Sequence, residues 1–237
     1  MLKINKNIKI KEYNCKPRDK DELRSIIVEA LYKDKNADLN HIDVSEIEDF
    51  SYVFANLDPH KIDISEWDVS NGKDFTGMFF CSNSLECDLS YWDVSNAEHM
   101  HSMFEACESF NSDLSRWNVS NVKDTCVMFY HCKKFNSDLS NWNVSNVEDM
   151  HHMFMLCESF NSDLSRWNVS KVKNMSNMFN QCRILETDLN DWNILNIVGL
   201  NSCTSIFEDC DRMKIPEWYN KLVRQYKINV PITDYFF

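Results

Sequence analysis

Glycine is almost missing from this chain, with three residues in 237, against roughly 7% in an average protein. That scarcity speaks against flexible linkers and phosphate-cradling loops, and for one body over several tethered domains. Equally absent is any run of about 20 apolar residues, so no membrane-inserted segment is expected. The leading stretch MLKINKNIKIKEYNCKPRDKDELR is basic but has no apolar core, so no secretory signal peptide is legible. Positive charge is in deficit too: 25 Lys plus Arg stand against 37 Asp plus Glu, a formal net charge of −12. Such a field repels nucleic acid and anionic membranes and favours a basic partner. There is no G-x-S-x-G, P-loop, dinucleotide fingerprint, H-E-x-x-H or C-x-x-C pair. An enzyme and a cofactor are therefore not expected.

What is present is a period. Trp67, Trp92, Trp117, Trp142, Trp167 and Trp192 stand 25 residues apart, and Ile42 continues the series backwards. Val44, Val69, Val94, Val119, Val144, Val169 and Ile194 follow two residues later. Leu39, Ile64, Leu89, Leu114, Leu139, Leu164 and Leu189 precede by three, each after an aspartate such as Asp113 or Asp138. A lone unit of this size exposes its apolar stripe, so successive units must stack.

Each unit reads as a strand followed by a short helix. Trp117 and Val119 alternate with polar Asn118 and Ser120, the period of a half-buried strand. Val147, Met150, Met153, Phe154 and Cys157 recur at helical intervals after a capping-box-like Asn146 and Asp149. The expected fold is thus an α/β repeat solenoid, a leucine-rich-repeat-like right-handed coil. It would carry a stacked strand face, short helical segments opposite, and a helical cap at each end. Residues 1–38 form the expected N-terminal cap, an extended KINKNIKIKEY and then a helix over 19–33 bearing Leu23, Ile26, Ile27, Ala30 and Leu31. Residues 39–210 form seven repeats, the last with Cys203, Ile206, Phe207 and Cys210 three residues late. Residues 211–237 form a C-terminal helical cap opening at Pro216, with Trp218, Tyr219, Leu222 and Val223 on one side.

The unit L-x-x-W-x-V-S-N-V-x-x-M-x-x-M-F-x-x-C-x-x-F resembles the leucine-rich repeats of BspA-like bacterial surface proteins. Their mycoplasma-lipoprotein type carries a similar W-D-V-S-N-V signature. The likeness runs from Asn36 to Cys210, with Lys16, Pro17, Lys20, Glu22 and Leu23 before it and Ile215, Pro216 and Trp218 after it. It implies adhesion or protein recognition at a cell surface and brings no catalytic residues. The missing export signal instead points to the cytoplasm, where the ten cysteines stay reduced.

Several columns invite chemistry. Cys107, Cys132, Cys157 and Cys182 share one repeat position and read as small core fillers. His101, Cys126 and His151, with His99 and His152 nearby, would come within reach of a shared metal. Thr76 and Ser176 in the same column point instead to a polar surface position, so no metal ligand is assigned. The aspartates before each leucine read as acceptors for backbone N–H groups in turns. N-V-S sequons at Asn118, Asn143 and Asn168, and one at Asn174, would matter only on export.

The most varied column lies just before each tryptophan: Glu66, Tyr91, Arg116, Asn141, Arg166, Asp191. After each tryptophan stand Asp68 and Asp93, then Asn118 and Asn143. This strip, with Tyr91, Arg116 and Arg166 as its hot-spot residue types, is the expected partner-binding surface. The function expected is a non-enzymatic recognition scaffold that binds a protein along the strand face. A surface adhesin and an acidic intracellular inhibitor or immunity protein acting on a basic partner are the alternatives.

Overall fold

The computed structural model describes residues 13–226. Among them are two α-helices, α1 (Lys20–Lys33) and α2 (Glu217–Tyr226), and a single 3-10 turn at Leu200–Ser202. The expected extended stretch up to residue 12 and the end of the C-terminal cap from residue 227 lie outside the described residues. Between the helices the chain is a succession of tight turns.

One coil shows the construction. The Asp113 carboxylate accepts the Ser115 amide (2.9 Å) and the Trp117 amide closes on the Leu114 carbonyl (3.1 Å). The Asn118 side chain then accepts the Ser120 amide (3.1 Å) and Val122 closes on Val119 (3.0 Å). Three further closures follow, Met128 on Thr125, Tyr130 on Val127 and Cys132 on Phe129, at 3.0–3.2 Å. Amides that these turns leave over cross to the next coil. Thr125, Val127, Phe129 and His131 donate to the carbonyls of Asp149, His151, Met153 and Met155 at 2.8–3.1 Å. The same pattern recurs 25 residues on, where Met150, His152, Phe154 and Leu156 donate to Asn174, Ser176, Met178 and Asn180.

The fold expected from the sequence is corrected on both faces. No described residue lies in a β-strand; among the described residues the parallel contacts are isolated bridges, seven between coils and one from Cys15 to Ile42 of the first coil. The W-x-V segment folds into two turns held by Asp and Asn side chains, which leaves no extended run to pair. At the neighbouring leucines the next coil offers a hydroxyl in place of a carbonyl: Leu114 donates to Ser137 Oγ (2.7 Å) and Leu139 to Ser162 Oγ (2.8 Å).

Nor does a helix form opposite. His152 and Leu156 sit at φ +56° and +65°, as do their counterparts Val127 and His131 at +60° and +61°. A left-handed residue at every fourth position breaks a right-handed helix. Asn146, expected to cap that helix, instead donates to the Ser120 carbonyl of the previous coil at 2.7 Å. The molecule is therefore not an α/β leucine-rich-repeat-like solenoid with a strand face, and the leucine-rich-repeat label does not describe it.

The turns point their apolar side chains inward, and like residues stack on like. The rings of Phe54, Phe79, Phe104, Phe129, Phe154, Phe179 and Phe207 form one row at centroid spacings of 5.0–5.8 Å. Trp117, Trp142 and Trp167 stack at 6.5 Å with planes within 2°. Each buried ring contributes about 1.5–3 kcal/mol. Their polar atoms are used as well: Trp117, Trp142 and Trp167 donate Nε1–H to the carbonyls of Leu89, Leu114 and Leu139, each at 2.9 Å. Thiols of Cys132, Cys157 and Cys182 donate to the carbonyls of Phe104, Phe129 and Phe154, again at 2.9 Å. Among the described residues, no buried side-chain nitrogen or oxygen lacks a partner.

The two helices close the ends by supplying what a further coil would supply. The first coil has no predecessor to donate to its carbonyls. Arg24 on α1 takes that place, its guanidinium donating to Val53 (3.1 Å) and Ala55 (3.0 Å). Asp19 caps α1 by accepting the Glu22 amide (2.9 Å), and Leu23, Ile27 and Leu31 are buried against the coil. In the last coil the crossing bonds run from Met175 to Ser202 and from Phe179 to Ile206, three residues later than elsewhere. Gly199, at φ +92°, and the 3-10 turn absorb that insertion. On α2, Trp218 stacks 6.4 Å from Trp192 and donates to the Leu189 carbonyl at 2.7 Å, extending the tryptophan row past the repeats.

Two expectations follow for stability. Val127 is β-branched, partly exposed and left-handed, whereas Asn177 fills the same place two coils on. Val127→Asn is expected to raise stability by about 1 kcal/mol, read as a higher melting temperature; an unchanged or lower one would contradict this strain. Trp142→Phe removes the indole donor from the buried Leu114 carbonyl, which keeps only the Trp117 amide, and shrinks a buried ring. It is expected to cost about 2 kcal/mol in denaturant unfolding.

Candidate functional site

Three surface features carry polar groups in ordered columns. The first is the row before each tryptophan. Glu66, Tyr91, Arg116, Asn141, Arg166 and Asp191 are all exposed, each on a turn corner. The Arg116 guanidinium lies over the Tyr91 ring of the preceding coil, 5.5 Å from its centroid, a cation–π contact. Asp68 and Asp93 are exposed but already engaged, accepting the amides of Ser70 (3.1 Å) and Ser95 (3.0 Å). Binding along a strand face is thereby corrected: the row exists, but it is borne on turns and no such face is there.

The second feature is a charged face. One column reads Glu48, Lys73, Glu98, Lys123, Glu148, Lys173. Its members pair across coils, Lys73 with Glu48 at 2.7 Å and Lys123 with Glu98 and Lys173 with Glu148 at 2.5 Å. The lysine hydrogen bonds hold Glu98 and Glu148 below the ordinary glutamate range. Beside them Asn96, Asn121 and Asn146 each donate to a serine carbonyl of the coil before, at 2.7–2.8 Å. This face is spent on internal pairing. In the last coil the column changes to Val198, and the serine column to Leu195, both largely exposed.

The third feature is a cluster from the column nine residues after each tryptophan. Ligand atoms of His101, Asp124 and Cys126 all lie within 4.8 Å of one another. His101 Nδ1 meets the Cys126 thiol directly and stands 4.0 Å from an Asp124 oxygen. Cys126 is buried, and burial together with Asp124 pushes its thiol pKa up. His151, one coil on, bonds Asp149 through Nδ1 at 2.7 Å, and that bond raises its pKa. His152, partly buried, is shifted down by desolvation. His101, Cys126 and His151 share one column in the sequence, whereas Asp124 does not stand out there. Asp124 resembles every other aspartate that caps a turn, and only its place two residues before Cys126 marks it. The ten cysteines are all free.

No helix among the described residues is long and apolar enough to cross a membrane. The fold defines a class: a turn-built repeat protein whose coils stack by column. A family described as "Mycoplasma protein of unknown function, DUF285" matches residues 23–139 and again 113–218, and the chain belongs to that family. This corrects the BspA-like assignment suggested by the W-x-V-S-N-V motif. No curated protein and no solved structure matches the chain.

The turn-capping aspartates set an acid limit. Backbone amides of Ser115, Ser140 and Ser165 hold Asp113, Asp138 and Asp163 below the ordinary aspartate value. A depressed carboxylate contributes stability above its unfolded pKa of about 3.9 and loses it as pH falls through the folded value. The melting temperature is therefore expected to drop below about pH 4, and to drop less steeply in a triple Asp→Asn variant at these positions. An equal slope in both would contradict the assignment.

Proposed function

We propose that this chain is a non-enzymatic scaffold that presents turn corners at coil spacing to a protein partner. The observation that supports this reading is the contrast between its two charged surfaces. On one, Lys73, Lys123 and Lys173 are each neutralised by a glutamate of the adjacent coil. On the other, Arg116 is stacked on Tyr91 with its guanidinium exposed, and Arg166 repeats the same position two coils on. A guanidinium placed over a ring can still use its N–H donors and loses less side-chain entropy on binding than a free one. A core in which each coil completes the hydrogen bonds of the next keeps the corners in fixed relation.

The exposed Arg116 and Arg166 guanidinium groups favour a partner that offers carboxylate or carbonyl acceptors at that spacing. Capture from a cell lysate on immobilised chain, at low and high salt, tests the reading. A partner released at high salt, and lost in a Tyr91→Ala, Arg116→Ala, Arg166→Ala variant, is expected. Capture unaffected by that variant, or turnover of any substrate, would overturn the proposal.

A further inference from the structure

We propose that His101, Asp124 and Cys126 form a binding site for a divalent transition-metal ion of the zinc class. Three donors of different chemistry, an imidazole nitrogen, a carboxylate oxygen and a thiol sulfur, converge from two adjacent coils within 4.8 Å. A tetrahedral zinc ion takes nitrogen and oxygen at about 2.0–2.2 Å and sulfur at about 2.3 Å, so its donors stand roughly 3.3–3.6 Å apart. To reach that geometry the imidazole and the thiol must part from their present direct contact and the ion take the place between them. The backbone beneath is fixed: Asp124 bridges to His99 on one side and to Asp149 on the other. One Asp124 oxygen is held by the Cys126 amide at 2.9 Å, which aims the carboxylate at the thiol. Outer hydrogen bonds of this kind orient metal ligands.

The donor set selects the ion. Thiolate with imidazole suits zinc and cobalt and disfavours magnesium and calcium. Other coils place Ser51, Thr76 or Ser176 in that column, while His101, Cys126 and His151 follow one another in it; His151 is held by Asp149 through Nδ1 at 2.7 Å, so the cluster forms on the first two. The remaining thiols of that core differ, since Cys132, Cys157 and Cys182 donate to carbonyls inside the stack. The His101 and Asp124 side chains are 38% and 37% exposed, so an ion can enter and water can take the fourth position. Binding displaces the Cys126 thiol proton to solvent.

The test is titration of the reduced full chain with Co²⁺ alone, followed by Zn²⁺. One equivalent of Co²⁺ is expected to produce a thiolate-to-cobalt charge-transfer band that Zn²⁺ abolishes. Cys126→Ser should remove the band, and His101→Thr or Asp124→Asn should weaken affinity at least about tenfold. Serine and threonine already occupy this column at Ser176 and Thr76, so the first two variants should fold, as circular dichroism would verify. Cys81→Ser, at a partly exposed cysteine elsewhere, should keep the band. No band with the parent chain, a band that survives Cys126→Ser, or its loss in Cys81→Ser would overturn the assignment.

Discussion

Everything in this molecule depends on coils completing one another's hydrogen bonds. A single coil closes some of its amides into turns and sends others across to the neighbouring coil. Such amides, the tryptophan N–H groups and the thiols of Cys132, Cys157 and Cys182 find carbonyls one coil away, and the Leu114 and Leu139 amides find a serine hydroxyl there. Apolar burial alone would hold the rings together but would tolerate sliding. The directional bonds set the register, so that Phe meets Phe and Trp meets Trp. Buried polar groups here specify the arrangement that the apolar groups stabilise.

Part of this was legible in the residues. Constant spacing of Trp67 through Trp192 could only mean that these positions become neighbours, and the ring rows are the result. The local backbone was not legible. Trp117 and Val119 alternate with polar residues because consecutive turns place them inward, and the same alternation is the signature of a strand. Met150, Met153, Phe154 and Cys157 recur at threes and fours because turns also close over three residues, and the same recurrence is the signature of a helix. The feature that separates these cases is a left-handed backbone at two places per coil. Glycine would have announced it, and Gly77 does so once. Val127, His131 and Leu156 carry the same conformation with side chains that normally avoid it. Stacking overrides local preference, and propensity has no access to stacking.

The surface divides in the same way. The exposed row with Tyr91 and Arg116 stood out because its residues vary while the core columns repeat. His101 and Cys126 stood out because they share a column. Asp124 did not, since a turn-capping aspartate and a ligand aspartate look identical in sequence. What distinguishes it is which side chains lie opposite its second oxygen, and that depends on a coil 25 residues away.

The alternating charges of the outer column carry a consequence for how such a chain can change length. Packing repeats with every coil, yet sign repeats only with every second one, from Glu48 and Lys73 to Glu148 and Lys173. The stretch Cys107–Ser120 recurs unchanged as Cys157–Ser170, and Arg116 and Arg166 keep the same separation. The electrostatic unit is therefore a pair of coils. Gaining or losing one coil would set like charges side by side at the junction. Gaining or losing two would leave every bridge intact, so even steps are the ones the surface accommodates without repulsion.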